Sequence, residues 1–183
     1  MRAILRFTLT LIAVLAAAAP AAAFEIQRAE LVHGSDDRWR LSAAIDYELP
    51  PRVRKALDSG IPLTVSIRVE VHQPRWWWWW DEELFAVERD MELRYQPLSR
   101  RYRLDNGERQ RYFFSTDSML WAMGRVEGIT VAEGVDPNAL AGAEVRLRTR
   151  LEIDKLPPPL QTSALISADW RIGSNWYVWR LAD

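Results

Sequence analysis

The stretch from Ile61 to His72, IPLTVSIRVEVH, decides the fold class because apolar residues recur at every second position. The apolar set is Ile61, Leu63, Val65, Ile67, Val69 and Val71. A period of two places these side chains on one face of a β-strand and the polar side chains on the other. The stretch therefore predicts a strand with one buried face.

Similar alternation predicts strands along most of the chain. They are expected at residues 24–33, 41–49, 85–95, 145–153 and 175–181, together with the two arms of a hairpin within residues 101–114. Asn106-Gly107 suits the two positive φ angles of a type I′ turn, so the hairpin is predicted to turn there. The prolines of LPPPL (156–160) are expected to break regular structure before the last strand.

Two short helices are predicted, each followed by a glycine. One lies in PPRVRKALDSG (50–60) and the other in STDSMLWAMG (115–124), where Ser115 or Thr116 can cap the amino end. Seven or eight mainly antiparallel strands with two short helices predict a mostly β, β-sandwich-like domain. Closure of the strands into a barrel stays open as an alternative.

The first residues, MRAILRFTLTLIAVLAAAAPAAAF, have the form of a secretory signal peptide. Arg2 and Arg6 precede an apolar stretch of about a dozen residues, which is too short to span a bilayer. The small residues Ala21 and Ala23 predict cleavage after Ala23, with an uncleaved anchor as the alternative. We expect residues 1–23 to direct export to the periplasm and residues 24–183 to form a single β-rich domain.

Composition argues against several classes of function. The chain has no cysteine, which excludes disulfides and a lipidated cysteine. Loss of Arg2 and Arg6 would move the formal net charge from −1 to about −3, which disfavours nucleic acid as a partner. His33 and His72 are the only imidazoles and are expected at the surface. Without thiolates they offer zinc or copper few preferred ligands, so no metal and no cofactor are predicted.

Motifs for nucleotide binding or nucleophilic catalysis are also missing from the sequence, which has no glycine-rich phosphate loop and no Gly-x-Ser-x-Gly. Asp81, Glu82 and Glu83 raise the alternative of a glycosidase, which uses two carboxylates beside sugar-stacking aromatics. On a strand, Asp81 and Glu83 would share one face about 7 Å apart. Nothing in the sequence marks either as buried, and the chain is therefore predicted not to be an enzyme.

Outward charges on two predicted strands suggest that these strands pair. They form a basic ladder of Arg146, Arg148 and Arg150 and an acidic ladder of Glu88, Asp90 and Glu92. Cross-strand pairs of opposite charge contribute about 0.2–1 kcal/mol each. We therefore expect the two strands to lie side by side, with their charges facing solvent.

A tryptophan run is the first candidate binding surface. In RWWWWWD (75–81) the candidate contacts are Arg75, Trp76, Trp77, Trp78, Trp79 and Trp80. The indoles of an extended segment alternate between two faces, and each offers up to about 250 Å² for burial. Because exposed apolar patches of monomers rarely exceed about 600 Å², something must cover them. The alternatives are the protein's own core, a protein or lipid partner, and a stacked sugar.

The predicted hairpin supplies a second candidate surface. Its candidate contacts are Arg101, Arg103, Arg109 and Arg111, with Arg100 beside them. Arginines fall on both faces of the hairpin, so at least one face must meet solvent. An anionic headgroup or an acidic protein surface would suit such a cluster.

Five motifs in order carry a family resemblance: YELPPRVRKALDSGIPL, the tryptophan-rich segment ending in Asp81, LRYQPLSRRYRL, LEIDKLPPPLQ and ADWRIGSNW. Together they resemble the proteobacterial exported family known as domain of unknown function 4390, over the whole mature chain. The resemblance implies a small envelope protein, often encoded beside a membrane histidine kinase of the nitrogen-regulation type. It implies no catalytic residues. The unbroken run of five tryptophans departs from the family's pattern, in which tyrosine is interspersed.

These patterns predict a periplasmic, non-enzymatic accessory protein. We expect it to contact an envelope protein, such as a membrane sensor, or the membrane surface through its tryptophans and arginines. The alternative is a glycan-binding or glycan-cleaving module that stacks sugars on Trp77 and Trp79.

Overall fold

The computed structural model describes residues 23–73 and 82–182. Its strands are β1 (Phe24–His33), β2 (Arg38–Tyr47), β3 (Leu63–Gln73), β4 (Glu82–Gln96), β5 (Arg101–Asp105), β6 (Gln110–Phe113), β7 (Arg125–Glu133), β8 (Glu144–Leu151) and β9 (Tyr177–Arg180). The helices are α1 (Pro51–Asp58), α2 (Thr116–Met123) and α3 (Pro158–Ile166), with 3₁₀ turns at Pro137–Leu140 and Ala168–Trp170.

The strands form two separate antiparallel sheets. The smaller has the order β1-β2-β7 and the larger the order β6-β5-β4-β3-β8-β9. This arrangement confirms the mostly β, sandwich-like prediction. The strands do not close into a barrel, because each sheet keeps its own two edges.

The stretch that decided the fold class becomes β3, near the centre of the large sheet. Its inward apolar side chains are at most 1% exposed from Leu63 to Val71. They pack in one hydrophobic cluster with residues of the small sheet such as Leu41 and of β8 such as Leu147. Full burial of each such side chain contributes about 1.5–3 kcal/mol, so this face anchors the domain.

A buried polar contact joins the two sheets across this core. The Tyr47 hydroxyl on β2 lies 3.1 Å from Thr149 Oγ1 on β8, and Thr149 Oγ1 donates to the carbonyl of Ser66 at 2.9 Å. Thr149 Oγ1 therefore accepts from Tyr47. Phe24 packs edge-on against the Tyr47 ring with centroids 4.8 Å apart, so the start of β1 is fixed at the same point.

Both predicted helices are present, and their glycines serve different purposes. Gly60 follows α1 with a φ of +87°, the left-handed conformation that favours glycine after a helix. Gly124 follows α2 with a φ of −70°, which any residue can adopt. A Cβ at Gly124 would lie 2.0 Å from the carbonyl oxygen of Ile45, so glycine is needed there for close approach to β2.

Two elements lie where none was predicted. The prolines of LPPPL start α3 and do not merely break regular structure, because proline suits the first turn of a helix, where its missing N–H has no intrahelical partner. Strand β7 also escaped prediction. Gly128, with a φ of +75°, and two register shifts against β2 disturb its alternation.

The hairpin of β5 and β6 is confirmed, but the predicted type I′ turn is wrong. The closing pair is Asp105 with Gln110, which leaves a four-residue loop. Within that loop Gly107 alone has a positive φ. The Asn106 side chain accepts from the backbone N–H groups of Glu108 and Arg109, at 3.2 and 2.8 Å, and these bonds stabilise the longer loop.

The predicted pairing of the two charge ladders is also wrong. Strand β3 lies between β4 and β8, so Glu88 faces Arg68 and Arg68 in turn faces Arg148. The acidic ladder is neutralised by other cations, including Arg103 at Glu92 and Lys155 at Asp90. Opposite charges on the outward faces of β4 and β8 thus did not identify neighbouring strands.

Candidate binding surfaces

Arg75 and Trp76–Trp80 lie outside the described residues, so the prediction that they bind a partner stays a prediction. The described residues on either side of the segment, Gln73 and Glu82, pair with each other in the large sheet. The predicted arginine hairpin lies at the other end of β4, where Arg101 pairs with Gln96. At about 3.3 Å per residue, the two ends of β4 are on the order of 45 Å apart along the strand.

The structure gives the four hairpin arginines different surroundings. Arg103 is bound to Glu92 at 2.6 Å, and its charge is thereby neutralised. Arg109 is exposed in the turn. Arg101 lies over the ring of Phe114 at 4.9 Å. Arg111 lies over the ring of Phe113 at 5.8 Å and also donates from Nη2 to the carbonyl of Ala122 at 3.2 Å. These last two cations therefore face aromatic rings.

A third pair of this kind follows α2. Arg125 lies 4.0 Å from the centroid of Trp121, whose side chain is 64% exposed. Together they line one side of a groove of about 360 Å³ whose other wall is β2. Neither residue was singled out in the sequence, since one tryptophan in a short helix carries no signal of exposure.

We call this region the arginine–aromatic surface, defined by Arg101, Arg111, Phe113, Phe114, Trp121 and Arg125. It wraps around the edge strand β6, with Arg101 and Phe114 on the outer face of the hairpin and the other four residues on the side of α2. Phe114 is 81% exposed, and Leu98 in the turn before β5 is fully exposed. Within the described part of the chain, the three arginines of this surface have no carboxylate partner. A cation over an exposed ring contributes only about 0.5–1 kcal/mol, so the guanidinium groups keep their capacity to bind anions.

The outer face of the large sheet contrasts with this surface because most of its cations are already paired. Arg148, which lies 5.7 Å from the ring of Trp176 and makes no ion pair within the described residues, is the exception. Arg68 contacts Glu70 at 2.6 Å and Glu88 at 3.5 Å, while Arg150 contacts Glu152 at 2.7 Å. Burial opposes ionisation of Glu70, but hydrogen bonds from Arg68 and His72 hold its pKa below the ordinary value. The face therefore carries much charge and offers little of it to a partner.

A larger groove of about 790 Å³ lies along β8, beside α3 and residues 171–175. Its charged lining balances, with three arginines and three carboxylates: Arg148, Arg150 and Arg171 with Glu152, Asp154 and Asp169. Arg171 also donates to the carbonyl of Leu165 at 2.7 Å. An ionic ligand would have to displace the contacts of Arg150 and Arg171 in this groove. Within the described residues Arg101 and Arg125 contact only aromatic rings, which makes the arginine–aromatic surface the better candidate.

The histidines were both expected at the surface, and for His72 this is wrong. His72 points to the outer face of β3 but is only 8% exposed, because β4 and β8 flank it on both sides. His33 is partly exposed near the end of β1 and lies 3.0 Å from Asp37.

The fold and its surfaces define a mostly β, two-sheet, sandwich-like protein with an arginine–aromatic surface around the edge hairpin. Among residues 23–73 and 82–182, no helix combines the length and apolar character needed to cross a membrane. The family model described as Domain of unknown function (DUF4390) matches residues 21–180, and the chain belongs to that family. No match was found among curated proteins or among solved structures.

Proposed function

We propose that this protein is an exported, non-enzymatic envelope protein that docks onto anionic phospholipid surfaces through its arginine–aromatic surface. One observation carries the proposal. Three arginines of this surface, without carboxylate partners among the described residues, lie over aromatic rings, and two of these rings, Phe114 and Trp121, are more exposed than buried.

The physical basis is a combination of charge and interfacial rings. An arginine near an anionic bilayer contributes about 1 kcal/mol, so three contribute about 3 kcal/mol, or on the order of 100-fold in affinity. Aromatic side chains favour the headgroup level of a bilayer. The formal net charge of the chain is −1, so the attraction must be local to this surface.

Shape favours a lipid surface over an acidic protein as the partner. Phe114 and Leu98 project beside a short hairpin at the edge of the large sheet, and Leu98 is fully exposed. Projecting apolar side chains beside cations can enter the headgroup region without a matching pocket. An acidic segment of a membrane sensor protein is the competing partner, and the experiment below distinguishes the two.

The test is co-sedimentation of the purified protein with phosphatidylcholine vesicles that contain increasing amounts of phosphatidylglycerol. We expect binding to rise with phosphatidylglycerol and to fall with salt, because the attraction is screened. A variant with Arg101, Arg111 and Arg125 all changed to Gln should lose on the order of 100-fold in affinity.

The matched control changes the exposed Arg28, Arg89 and Arg180 to Gln, which removes the same charge elsewhere. Equal losses in the two triple variants would mean that overall charge, and not this surface, drives binding. No vesicle binding, together with capture of an acidic sensor peptide, would replace the lipid surface with a protein partner.

A further inference from the structure

Three metal-ligating side chains meet on the outer face of the large sheet, at the ends of β3 and β4. They are Glu70, His72 and Glu83, and one ligand atom from each lies within 4.8 Å of the others. The His72 Nε2 atom is 3.1 Å from Glu70 Oε2. This cluster takes no part in the proposed lipid docking, since the arginine–aromatic surface adjoins the other end of β4.

A β-bulge brings Glu83 to this face. Val71 faces Phe85 across the sheet, whereas the next residue, His72, faces Glu83. Leu84 is therefore an extra residue in β4. With regular pairing Leu84 would face His72, and Glu83 would point to the other side of the sheet. The bulge thus exchanges a leucine for a carboxylate beside the histidine.

The spacing of the ligand atoms suits a small divalent ion. Zinc binds imidazole nitrogen and carboxylate oxygen at about 2.0–2.2 Å, so two tetrahedral ligands are about 3.3 Å apart. The Glu70 and His72 atoms are already 3.1 Å apart. Glu83 is exposed and makes no hydrogen bond within the described residues, so its side chain is free to close the remaining distance.

The surroundings orient the ligands in the way that metal sites require. Arg68 Nε donates to Glu70 Oε1 at 2.6 Å, which fixes that carboxylate and leaves Oε2 directed at His72. Outer partners of this kind hold ligating carboxylates in many metal sites. Glu144 also faces His72, from β8, but is bound to Arg146 Nε at 2.7 Å and serves as no ligand here.

The His72 ring provides a second, independent observation. Its side chain is 10% exposed, and its Nδ1 atom is buried without a hydrogen-bond partner. A buried imidazole that contacts only one carboxylate is poorly satisfied. A metal at Nε2 would replace the hydrogen bond to Glu70 with a stronger bond and would place the ring proton on Nδ1.

We propose that Glu70, His72 and Glu83 form a three-ligand site for a divalent transition-metal ion of the Zn²⁺ type. The ion would tie the end of β3 to the start of β4 and would keep one position open for water. The sequence predicted no metal because it offers two histidines and no thiolate, and because the bulge that brings Glu83 beside His72 has no local signature.

The two histidines of the chain give a direct test. In ¹⁵N-labelled, metal-free protein, zinc chloride should shift the imidazole signals of His72 at one equivalent and leave those of His33 unchanged. His33 is the matched control, because it also lies near a carboxylate, at 3.0 Å from Asp37, but has no third ligand among the residues that the structure describes. Isothermal titration with zinc should then show one site.

Glu83→Gln should weaken zinc binding at least ~10-fold and leave the fold intact, since Glu83 is exposed. Glu127→Gln, an exposed carboxylate on β7, should bind zinc as the parent does. Equal shifts of the two histidines, or unchanged affinity in Glu83→Gln, would overturn the proposal. The histidine signals and the zinc affinities are both measured without lipid, so these results do not depend on the docking proposal.

Discussion

Replacing Tyr47 with Phe should make the stability of this protein depend differently on alkaline pH. The Tyr47 hydroxyl is buried between the sheets and donates to Thr149. Burial raises the pKa of Tyr47 far above its ordinary value of 10.0, although the hydrogen bond to Thr149 lowers it in part. Folding therefore requires the neutral phenol.

The sign and size of the effect follow from this. A raised folded-state pKa means that the stabilising contribution is fully present below pH 10 and is lost as pH rises above the unfolded-state pKa. Each pH unit above 10 subtracts about 1.4 kcal/mol from the free energy of unfolding of the parent protein. Tyr47→Phe has no such loss. At neutral pH, however, it lacks one buried hydrogen bond, which costs about 1 kcal/mol.

The stability that the parent loses through ionisation equals the stability that Tyr47→Phe loses with the hydrogen bond at a pH between about 10 and 11. We expect Tyr47→Phe to be less stable than the parent at pH 7 and more stable at pH 11, in urea unfolding followed by tryptophan fluorescence. Tyr112→Phe is the control, because Tyr112 is 48% exposed and should show no crossover. If the free energies of unfolding of Tyr47→Phe and the parent instead differ by a constant amount from pH 7 to 11, the buried phenol does not link the sheets as described.

Two further variants test local features of the fold. Gly124→Ala should lower the free energy of unfolding by about 3 kcal/mol, because the new Cβ meets the Ile45 carbonyl. Its control is Gly107→Ala, which is strained only by its φ of +82° and should lower the free energy of unfolding by about 1–2 kcal/mol. If urea titrations show that both variants lose the same free energy of unfolding, the close approach of α2 to β2 is contradicted. The Glu70 carboxylate has a lowered pKa, so its contribution to the free energy of unfolding is present above the ordinary pKa of 4.5 and is lost as pH falls below that value. In metal-free buffer, the stability deficit of Glu70→Gln should therefore shrink between pH 6 and pH 3, and a deficit independent of pH would argue against the Arg68 contact.

The sequence predicted the β-rich core well because burial on one face of a strand is a local property. Residues 61–72 alternate, and β3 buries that apolar set from Leu63 onward. Strand β7 was missed where Gly128 and register shifts disturb the alternation. Local pattern thus identifies regular strands and loses irregular ones.

Strand neighbours and binding sites depend on distant residues, and the sequence predicted them less well. Opposite charges on β4 and β8 suggested adjacency, but Arg68 on the intervening β3 contacts Glu88 and faces Arg148. The meeting of His72 with Glu83 depends on the bulge at Leu84, which only the pairing of β3 with β4 reveals.

The hairpin arginines were predicted from composition, whereas the exposed Phe114 and Trp121 were not. Exposure of a single aromatic residue depends on which elements pack around it. The structure supplies that information, since it leaves Phe114 81% exposed next to Arg101.

The docking claim is tested most directly by a probe placed on the surface itself. The chain has no cysteine, so Leu98→Cys can be labelled with one environment-sensitive fluorophore, and Val32→Cys on β1, 53% exposed in the parent, provides the matched control. On phosphatidylglycerol vesicles we expect a blue shift and brighter emission from the probe at position 98 and no change at position 32. Vesicle-bound protein with an unchanged probe at position 98, or with an equal response at position 32, would contradict docking through the arginine–aromatic surface.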